Sequence, residues 1–514
     1  MKITGKRQSH AFAEIVKTCL RVIISLITLG LQFAFYYFLF FTVRNLWYVQ
    51  LASLVLAGIF VIYIYQKKVN SSYKLSWTIF LLLFPFFGVV LYLLFGSGYA
   101  IPRRKAQKVF EKYKGNIPQN DVHTKLQSED ARGGMIAENL RLSTRLPLYQ
   151  NTQIKYFSSA KLKHESLLED LRQAKEYVYI EYFIISDGYV LESVLEILEQ
   201  KGKEGVKIKF LYDDIGSKKA LKRKTKKRIA KIKNLELCVF EPLGVIINPR
   251  INYRDHRKIV VIDGKIGYVG GDNLADEYVG RLIKYGKWRD NAIRLYGDAV
   301  YSLELLFAET WYLSCKERIS LKTFVPSEKV ESDGYVMPYG DGPTNVKASS
   351  YHLFESMFSS AQKYLYISTP YFIIDSAFVD QICQSARCGV DVRLLVPHIP
   401  DKKLVFAMTR GHYGELIKAG VKVYEYLPGF NHAKNVIVDD KYAFIGTVNC
   451  DYRSLMLHFE NGVYLANNST IPSMKEDFIK ATQESKLISY DEWKSRSFFT
   501  KVTELILSFI APLL

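Results

Sequence analysis

The chain is short of cysteine and of acidic residues, and each shortage narrows what it can be. Six cysteines (Cys19, Cys238, Cys315, Cys383, Cys388 and Cys450) lie scattered through 514 residues with no C-x-x-C pair. Zinc sites and disulfide frameworks need repeated, closely spaced cysteines. The six therefore read as plain buried or lipid-facing thiols, a usage that suits a catalytic domain in a reducing compartment. Acidic residues number 51 against 70 lysines and arginines, a net charge of +19. That excess asks for an anionic partner, nucleic acid or an acidic membrane surface, and charge alone does not choose. A G-x4-G-K-[ST] phosphate loop is absent as well, which removes that route to nucleotide binding.

A cleavable signal peptide is also missing. Val22–Val43 carries no charge and neither does Asn45–Gln66, with Arg44 alone between them; a third run, Leu75–Leu94, follows Lys67, Lys68 and Lys74. Each is long enough for a hydrocarbon core of ~30 Å, which takes roughly 20 apolar residues. The apolar part of a signal peptide would be shorter and would end at small residues. Three such runs would overfill a soluble core, so residues 1–100 are expected to form a membrane anchor of two or three transmembrane helices. Lys2, Lys6, Arg7, Lys17 and Arg21 precede the first run, and Arg103, Arg104, Lys105, Lys108, Lys112 and Lys114 follow the third. The positive-inside rule nearly cancels across them, and the first run can span, lie flat or re-enter.

From about Tyr149 the pattern changes to alternating strands and helices, the signature of an α/β fold. AKEYVYIEYFIISD at Ala174–Asp187 resembles AQKYLYISTPYFIID at Ala361–Asp375, and each is followed by a helical segment and a second strand. The expected organisation is a basic linker at 101–148 and a duplicated α/β unit at 149–323 and 346–489. A turn-rich linker at 324–345 separates the copies, and an apolar tail follows at 490–514.

One pattern occurs once in each copy: H-x-K-x4-D-x6-G-x2-N. It reads His256, Lys258, Asp263, Gly270, Asn273 and then His432, Lys434, Asp439, Gly446, Asn449. Five fixed residue types match by accident on the order of once in 10⁶ to 10⁷ starting positions. Histidine and lysine at i and i+2 of an apolar strand project from one face. Asp263 and Asp439 stand at an odd offset and open turns, where a carboxylate bonds nearby backbone N–H groups; a structural role is favoured over direct chemistry. Two lysines can neutralise phosphoryl oxygens, and Asn273 and Asn449 can donate to them. One neutral histidine can attack phosphorus while the other, protonated, serves the leaving alcohol. Each copy supplies half a site, so the cleft is expected between them, with no metal or other cofactor. Asp290, in Trp288-Arg289-Asp290, and Glu460, in Phe459-Glu460-Asn461, follow the two motifs at comparable points. A carboxylate there can orient an imidazole and set its tautomer.

At these residues the chain resembles the HKD phospholipase D superfamily and, within it, the bacterial cardiolipin synthases. The narrower likeness rests on NYRDHRKIVVIDGKIGYVGGDN (Asn252–Asn273), Trp288–Asp290, STPYFIID (Ser368–Asp375), GTVNCDYRSLMLHFEN (Gly446–Asn461), the apolar stretch Ser76–Gly96 and the tail. Thr447 stands where the family commonly has serine, keeping the hydroxyl. The resemblance implies a multi-pass protein of the bacterial cell membrane, with its catalytic part on the cytoplasmic side. It implies that phosphatidylglycerol, among other anionic phospholipids, is the partner rather than nucleic acid. One phosphatidylglycerol would give its phosphatidyl group to a histidine, releasing glycerol, and a second would accept it. His256 is assigned as nucleophile, oriented by Asp290 and kept unprotonated by Arg254 and Arg257, and His432 as acid/base. A hydrolase using water instead would yield phosphatidic acid. The class that uses a CDP-activated lipid carries a D-G-x2-A-R motif, which is absent here.

Weaker features remain. Ten lysines and arginines crowd into Lys218–Lys233, a surface for anionic headgroups. The tail Phe498–Leu514 either lies in the membrane interface or packs on the catalytic part. His398 and His458 are expected as local hydrogen-bond partners.

Overall fold

Twenty residues without a charge, Trp47–Gln66, form helix α1. Leu54, Val55, Ile59 and Ile62 on it are exposed, while Ala57 and Ile64 are buried. In this computed structural model the residues described are 47–67, 69–96, 111–241, 252–345 and 348–513, with 34, 37, 38 and 109 as isolated positions. The first apolar run, Val22–Val43, lies outside them. The third run corrects the expectation of a spanning helix. Pro85 has no N–H to continue the ladder, so the run divides at Phe84 into α2 (Ser71–Leu83) and α3 (Pro85–Leu91), followed by a π-helical turn at Tyr92–Gly96. Trp77 and Tyr92 pack edge to face at 5.0 Å, tying α2 to that turn. Among the described residues no helix is long and apolar enough to cross a membrane.

The chain divides into this hydrophobic unit and a larger one that carries both motifs. In the larger unit the first copy builds a sheet from β1 (Thr152–Phe157), β2 (Tyr177–Tyr182), β3 (Lys207–Asp213), β4 (Leu235–Phe240), β5 (Lys258–Ile262), β6 (Ile266–Gly270) and β7 (Ala292–Gly297). They lie in the order β1-β7-β6-β5-β2-β3-β4. Helices α4 (Ala160–Arg172) and α5 (Tyr189–Lys203) bury Leu167, Leu171, Val194 and Leu198 against one face of it. Helix α6 (Val300–Cys315) packs on the other face through Leu303 and Phe307.

The second copy repeats the plan with β8 (Tyr335–Asp341), β9 (Tyr364–Ser368), β11 (Asp391–Pro397), β12 (Lys422–Tyr426), β13 (Asn435–Val438), β14 (Tyr442–Gly446), β16 (Glu460–Ala466) and β17 (Ser485–Leu487). Their order is β8-β16-β14-β13-β9-β11-β12-β17. A two-stranded piece pairs β10 (Phe372–Ile373) with β15 (Cys450–Asp451). Helices α7 (Ser349–Ser360), α8 (Ser376–Arg387), α9 (Lys403–Gly411), α10 (Thr470–Gln483) and α11 (Phe498–Ile510) complete the copy. Apart from the extra edge strand β17, the two orders correspond strand for strand, so the duplication seen in the sequence is a duplication of topology.

Three expectations change here. The 324–345 linker contains β8, paired along its whole length with β16; its glycines and prolines had disguised a strand buried on both faces. The 101–148 linker includes helical residues 131–144, whose Ile136, Ala137 and Leu140 enter the core that α6, α7 and the second sheet share. The cysteines are not all thiols: Cys238 on β4 and Cys315 at the end of α6 form a disulfide, Cα–Cα 6.3 Å. β4 packs against α6, which brings together two cysteines that sequence spacing keeps 77 residues apart.

The motif aspartates are each committed to three backbone N–H groups. Asp263 has φ 52° and Asp439 φ 54°, in tight turns. Asp263 accepts from the N–H groups of Lys175, Glu176 and Tyr177 at 2.7–2.8 Å, and Asp439 accepts from those of Gln362, Lys363 and Tyr364 at 2.7–2.8 Å. Each pins the start of the strand beside its motif strand. Asp263→Asn keeps the turn conformation but loses one charged acceptor. It should lower unfolding free energy by about 1–3 kcal/mol, read by chemical denaturation, while turnover per folded molecule stays unchanged.

Candidate active site

The two motif strands run antiparallel to the central strand of their own sheet, β5 on β2 and β13 on β9. Each histidine sits just before its strand, where the chain has left its own sheet and pairs with the other copy. His256 N–H donates to the Phe459 carbonyl at 2.8 Å, and His432 N–H donates to the Arg289 carbonyl at 2.7 Å. Short parallel bridges, Asp255 to Phe459 and Arg289 to Asn431, flank these bonds. The cleft thus lies between the copies, and its floor is stitched across them.

The same stitching crosses the carboxylates. Glu460 meets His256 Nδ1 at 2.8 Å, and Asp290 meets His432 Nδ1 at 2.6 Å. The expectation that Asp290 orients His256 is therefore corrected: each imidazole is oriented by a carboxylate from the other copy, because the strand end that carries the carboxylate bridges to the opposite motif. Both carboxylates are fully buried, and both histidines are 7% exposed. With Nδ1 engaged, Nε2 is left to face a substrate.

Lys258 opens β5 and Lys434 directly precedes β13, so both histidines lie before their strands rather than on a shared strand face. Lys258 Nζ donates to the His256 carbonyl at 2.8 Å and Lys434 Nζ to the His432 carbonyl. The lysine backbone is held too: Lys258 N–H donates to Asn461 Oδ1 at 3.0 Å. Asn273 is largely committed to scaffolding, accepting from Ile184 N–H at 3.0 Å and donating to the Tyr278 hydroxyl at 2.6 Å. Asn449 is buried with no partner for its Oδ1.

Several site residues escaped the motif. Thr447 donates to Glu460 and accepts from Asn461 N–H at 3.0 Å, so the hydroxyl that replaces serine braces the carboxylate behind His256. Around His432 stand Tyr278, Phe430 and Trp288, with ring centroids at 5.3, 5.8 and 5.8 Å. Around His256 stand Phe183 at 4.9 Å and His458 at 5.7 Å. His398 is a local partner as expected, bonded to Glu425 at 2.7 Å. His458 is a local partner too, accepting from Arg453 Nε at 3.3 Å, and it also reaches the site, its Nδ1 3.5 Å from Glu460. Together His256, His458 and Glu460 form the one group among the described residues whose atoms could converge on a metal ion, and an ion there would occupy the first motif's histidine. Arg254 does not bear on His256 as expected, because it is spent on a two-pronged pair with Asp213 at 2.8 Å. Arg257 donates instead to the carbonyls of Glu460 and Leu306 and to the Thr310 hydroxyl.

Burial sets the charge state. It pushes His256 and His432 well below the usual histidine range, with the neighbouring lysine ammoniums adding to the effect. It brings Lys258 down to about 8 and Lys434 down to about 7, against the opposing pull of Glu460 and Asp290 respectively. Asp290 is pushed up to about 6 by burial, and Glu460 is raised well above the usual carboxylate range by the same cause. Burial therefore disfavours the charged form of each of these groups, and a phosphate anion between the two lysines would raise both again.

Two family models match the chain: "Cardiolipin synthase, PLD-like domain" over residues 167–299 and 354–482, and "Phospholipase_D-nuclease N-terminal" over 54–97. The chain belongs to the phospholipase D-type cardiolipin synthase family. It is similar to cardiolipin synthase 2 of Bacillus cereus, 37% identical over 88% of this chain and 88% of that one. The cardiolipin synthase of Halalkalibacterium halodurans is 35% identical over 88% of this chain and 91% of its own. The crystal structure of phosphatidylserine synthase from Haemophilus influenzae shares the fold, with TM-score 0.57 at 18% identity, covering 74% of this chain and 97% of that one. Both matched segments of the first family model contain a complete motif, so this member keeps both halves of the site.

The crossed pairing has a direct readout. Asp290→Asn should move the ring-nitrogen resonances of His432 and leave those of His256, and Glu460→Gln should do the reverse. Either change should cost on the order of 10²–10⁴ in turnover. Resonances moving within one copy would refute the crossing. Charge state gives a second test. A soluble phosphodiester keeps its single charge between about pH 6 and 9, so any pH dependence of its binding belongs to the protein. Since both lysines must be protonated to meet it, its affinity should fall as pH rises through about 7 to 8, with net proton uptake on binding. Calorimetry in buffers of different ionisation enthalpy measures both.

Proposed function

We propose that the chain makes cardiolipin by transferring a phosphatidyl group from one phosphatidylglycerol to another. The observation that carries the reading is the pair of His–Lys couples converging in one buried pocket, each imidazole backed by a carboxylate. His256 Nε2 attacks phosphorus, and the departing glycerol oxygen takes a proton from His432, leaving a phosphatidyl-histidine. The terminal hydroxyl of a second phosphatidylglycerol then attacks, giving its proton to His432, and His256 is released. One phosphodiester is exchanged for another, so neither nucleotide nor divalent metal is required. Lys258 and Lys434 bind the phosphoryl oxygens, and Asn449 and the remaining N–H of Asn273 assist. His432 suits the acid/base role because its partner Asp290, with a value near 6, is ionised at neutral pH and, together with the charge of the bound phosphate, offsets the burial that disfavours an imidazolium there. Glu460, raised well above the usual carboxylate range by burial, gives His256 less such support and leaves it neutral for attack.

The enzyme would work at a membrane. The N-terminal unit exposes leucine, isoleucine and valine along the side of α1 opposite the buried Ala57 and Ile64, a surface that suits lipid rather than water, and we read it as the anchor of a multi-pass protein. The Cys238–Cys315 disulfide argues against the cytoplasmic side expected for the catalytic part, since such bonds persist mainly in oxidising compartments.

Purified protein given phosphatidylglycerol as sole lipid, with chelator and no nucleotide, should form cardiolipin and glycerol in equal amounts. Phosphatidic acid as the main product would make it a hydrolase, and dependence on CTP and Mg²⁺ would place the chemistry elsewhere. Labelled substrate followed by alkaline quench should leave label on residue 256 in the wild type and none in His256→Ala.

A further inference from the structure

The C-terminal helix α11 hides its polar side and shows its apolar one. Glu504, 4% exposed, accepts from Arg496 Nε at 3.0 Å and from its Nη2 at 2.7 Å. Arg496 stacks on Trp493, 3.9 Å from the ring centroid, and Trp493 Nε1 donates to the Arg410 carbonyl in α9 at 2.8 Å. Beneath them Leu507 joins Ile373, Met408 and Tyr452 in a small core. The outward side carries Phe498, Phe499, Leu505 and Ile506, exposed by 74, 80, 70 and 58%. Positions 498 and 505 fall on one helical stripe and 499 and 506 on the next. The patch is therefore continuous, the reverse of a helix facing water.

This patch adjoins the site. Helix α9, under α11, packs on β10 and adds an exposed Leu404. Strand β10 pairs with β15 through Phe372–Cys450 and Ile373–Asp451, and Asn449 of the second motif directly precedes β15. Lys402, Lys403, Lys494 and Lys501 are exposed around the patch, an arrangement that complements anionic headgroups.

We propose that α11 and the adjoining end of α9 form a docking face that enters the acyl layer of an anionic phospholipid bilayer beside the catalytic cleft. The proposal rests on the reading of the substrate as phospholipid. A two-chain lipid holds its phosphate at headgroup depth, and an apolar face set just below that depth lets the cleft meet the phosphate while the chains stay in the bilayer.

Full-length protein is reconstituted in phosphatidylglycerol-containing vesicles, in a Cys19→Ser, Cys388→Ser background with Leu505→Cys carrying an environment-sensitive fluorophore. Quenching by lipids brominated on the acyl chains is expected. Emission typical of water overturns the proposal. A dry but unquenched probe overturns it too, since the face is then covered by protein, either a second copy or the chain's own N-terminal unit. In a second arm, the combined Phe498→Ser, Phe499→Ser and Ile506→Ser variant should lose on the order of tenfold activity on vesicles. Its activity on short-chain phosphatidylglycerol below its micelle concentration should stay unchanged. No loss on vesicles, or equal loss on both substrates, overturns the proposal. If the wild type makes no cardiolipin from either substrate, the functional reading fails, while the quenching still reports on the docking face.

Discussion

The site depends on one interaction made twice, a buried carboxylate from one copy held against the imidazole of the other. Glu460 on His256 and Asp290 on His432 do more than set tautomers. Each requires that the strand end carrying the carboxylate be bridged to the opposite motif, so catalytic geometry and the joining of the two halves are the same set of contacts. Neither half could hold a competent histidine alone. This accounts for a single core that runs from α6 through α7 into the second sheet and for a linker drawn in as strand β8.

Near symmetry of fold coexists with asymmetry of chemistry. His432 lies among three aromatic rings, while His256 has one aromatic neighbour and a third histidine. Their carboxylates differ as well, since Glu460 accepts a further hydrogen bond from Thr447, while Asp290 accepts one from the Asn291 N–H. A two-step transfer needs one histidine to become a phosphoramidate and the other to shuttle a proton. Duplicated strands supply equal positions, and the unequal surroundings divide the labour. The depressed lysines belong to the same logic: a pocket dry enough to lower an ammonium to about 7 is one in which a bound phosphate meets a strong, unscreened field.

What the sequence by itself determined was local and periodic. The repeated motif and the duplication are read directly along the chain. The turn role of Asp263 and Asp439 follows from their odd offset, and all of these stand in the structure. The helices, the sheets' existence and the hydrophobic character of the N-terminal unit were legible for the same reason. Pro85 stands inside the third run, and reading that run as one spanning helix passed over it.

Tertiary structure alone decided which groups meet. His256 finds a carboxylate 204 residues away and His432 one 142 residues away, separations over which spacing carries no geometric information. Asp290 was therefore assigned to the wrong histidine, although it was rightly assigned to the site. The glycine- and proline-bearing Tyr335–Asp341 read as a linker because its partner strand β16 lies more than a hundred residues on. Cys238 and Cys315 read as thiols because only the packing of β4 on α6 makes them neighbours. The outward apolar face of α11 is of the same kind. Composition shows that the tail is apolar, but which side faces out depends on the buried pair Glu504–Arg496 that turns the helix.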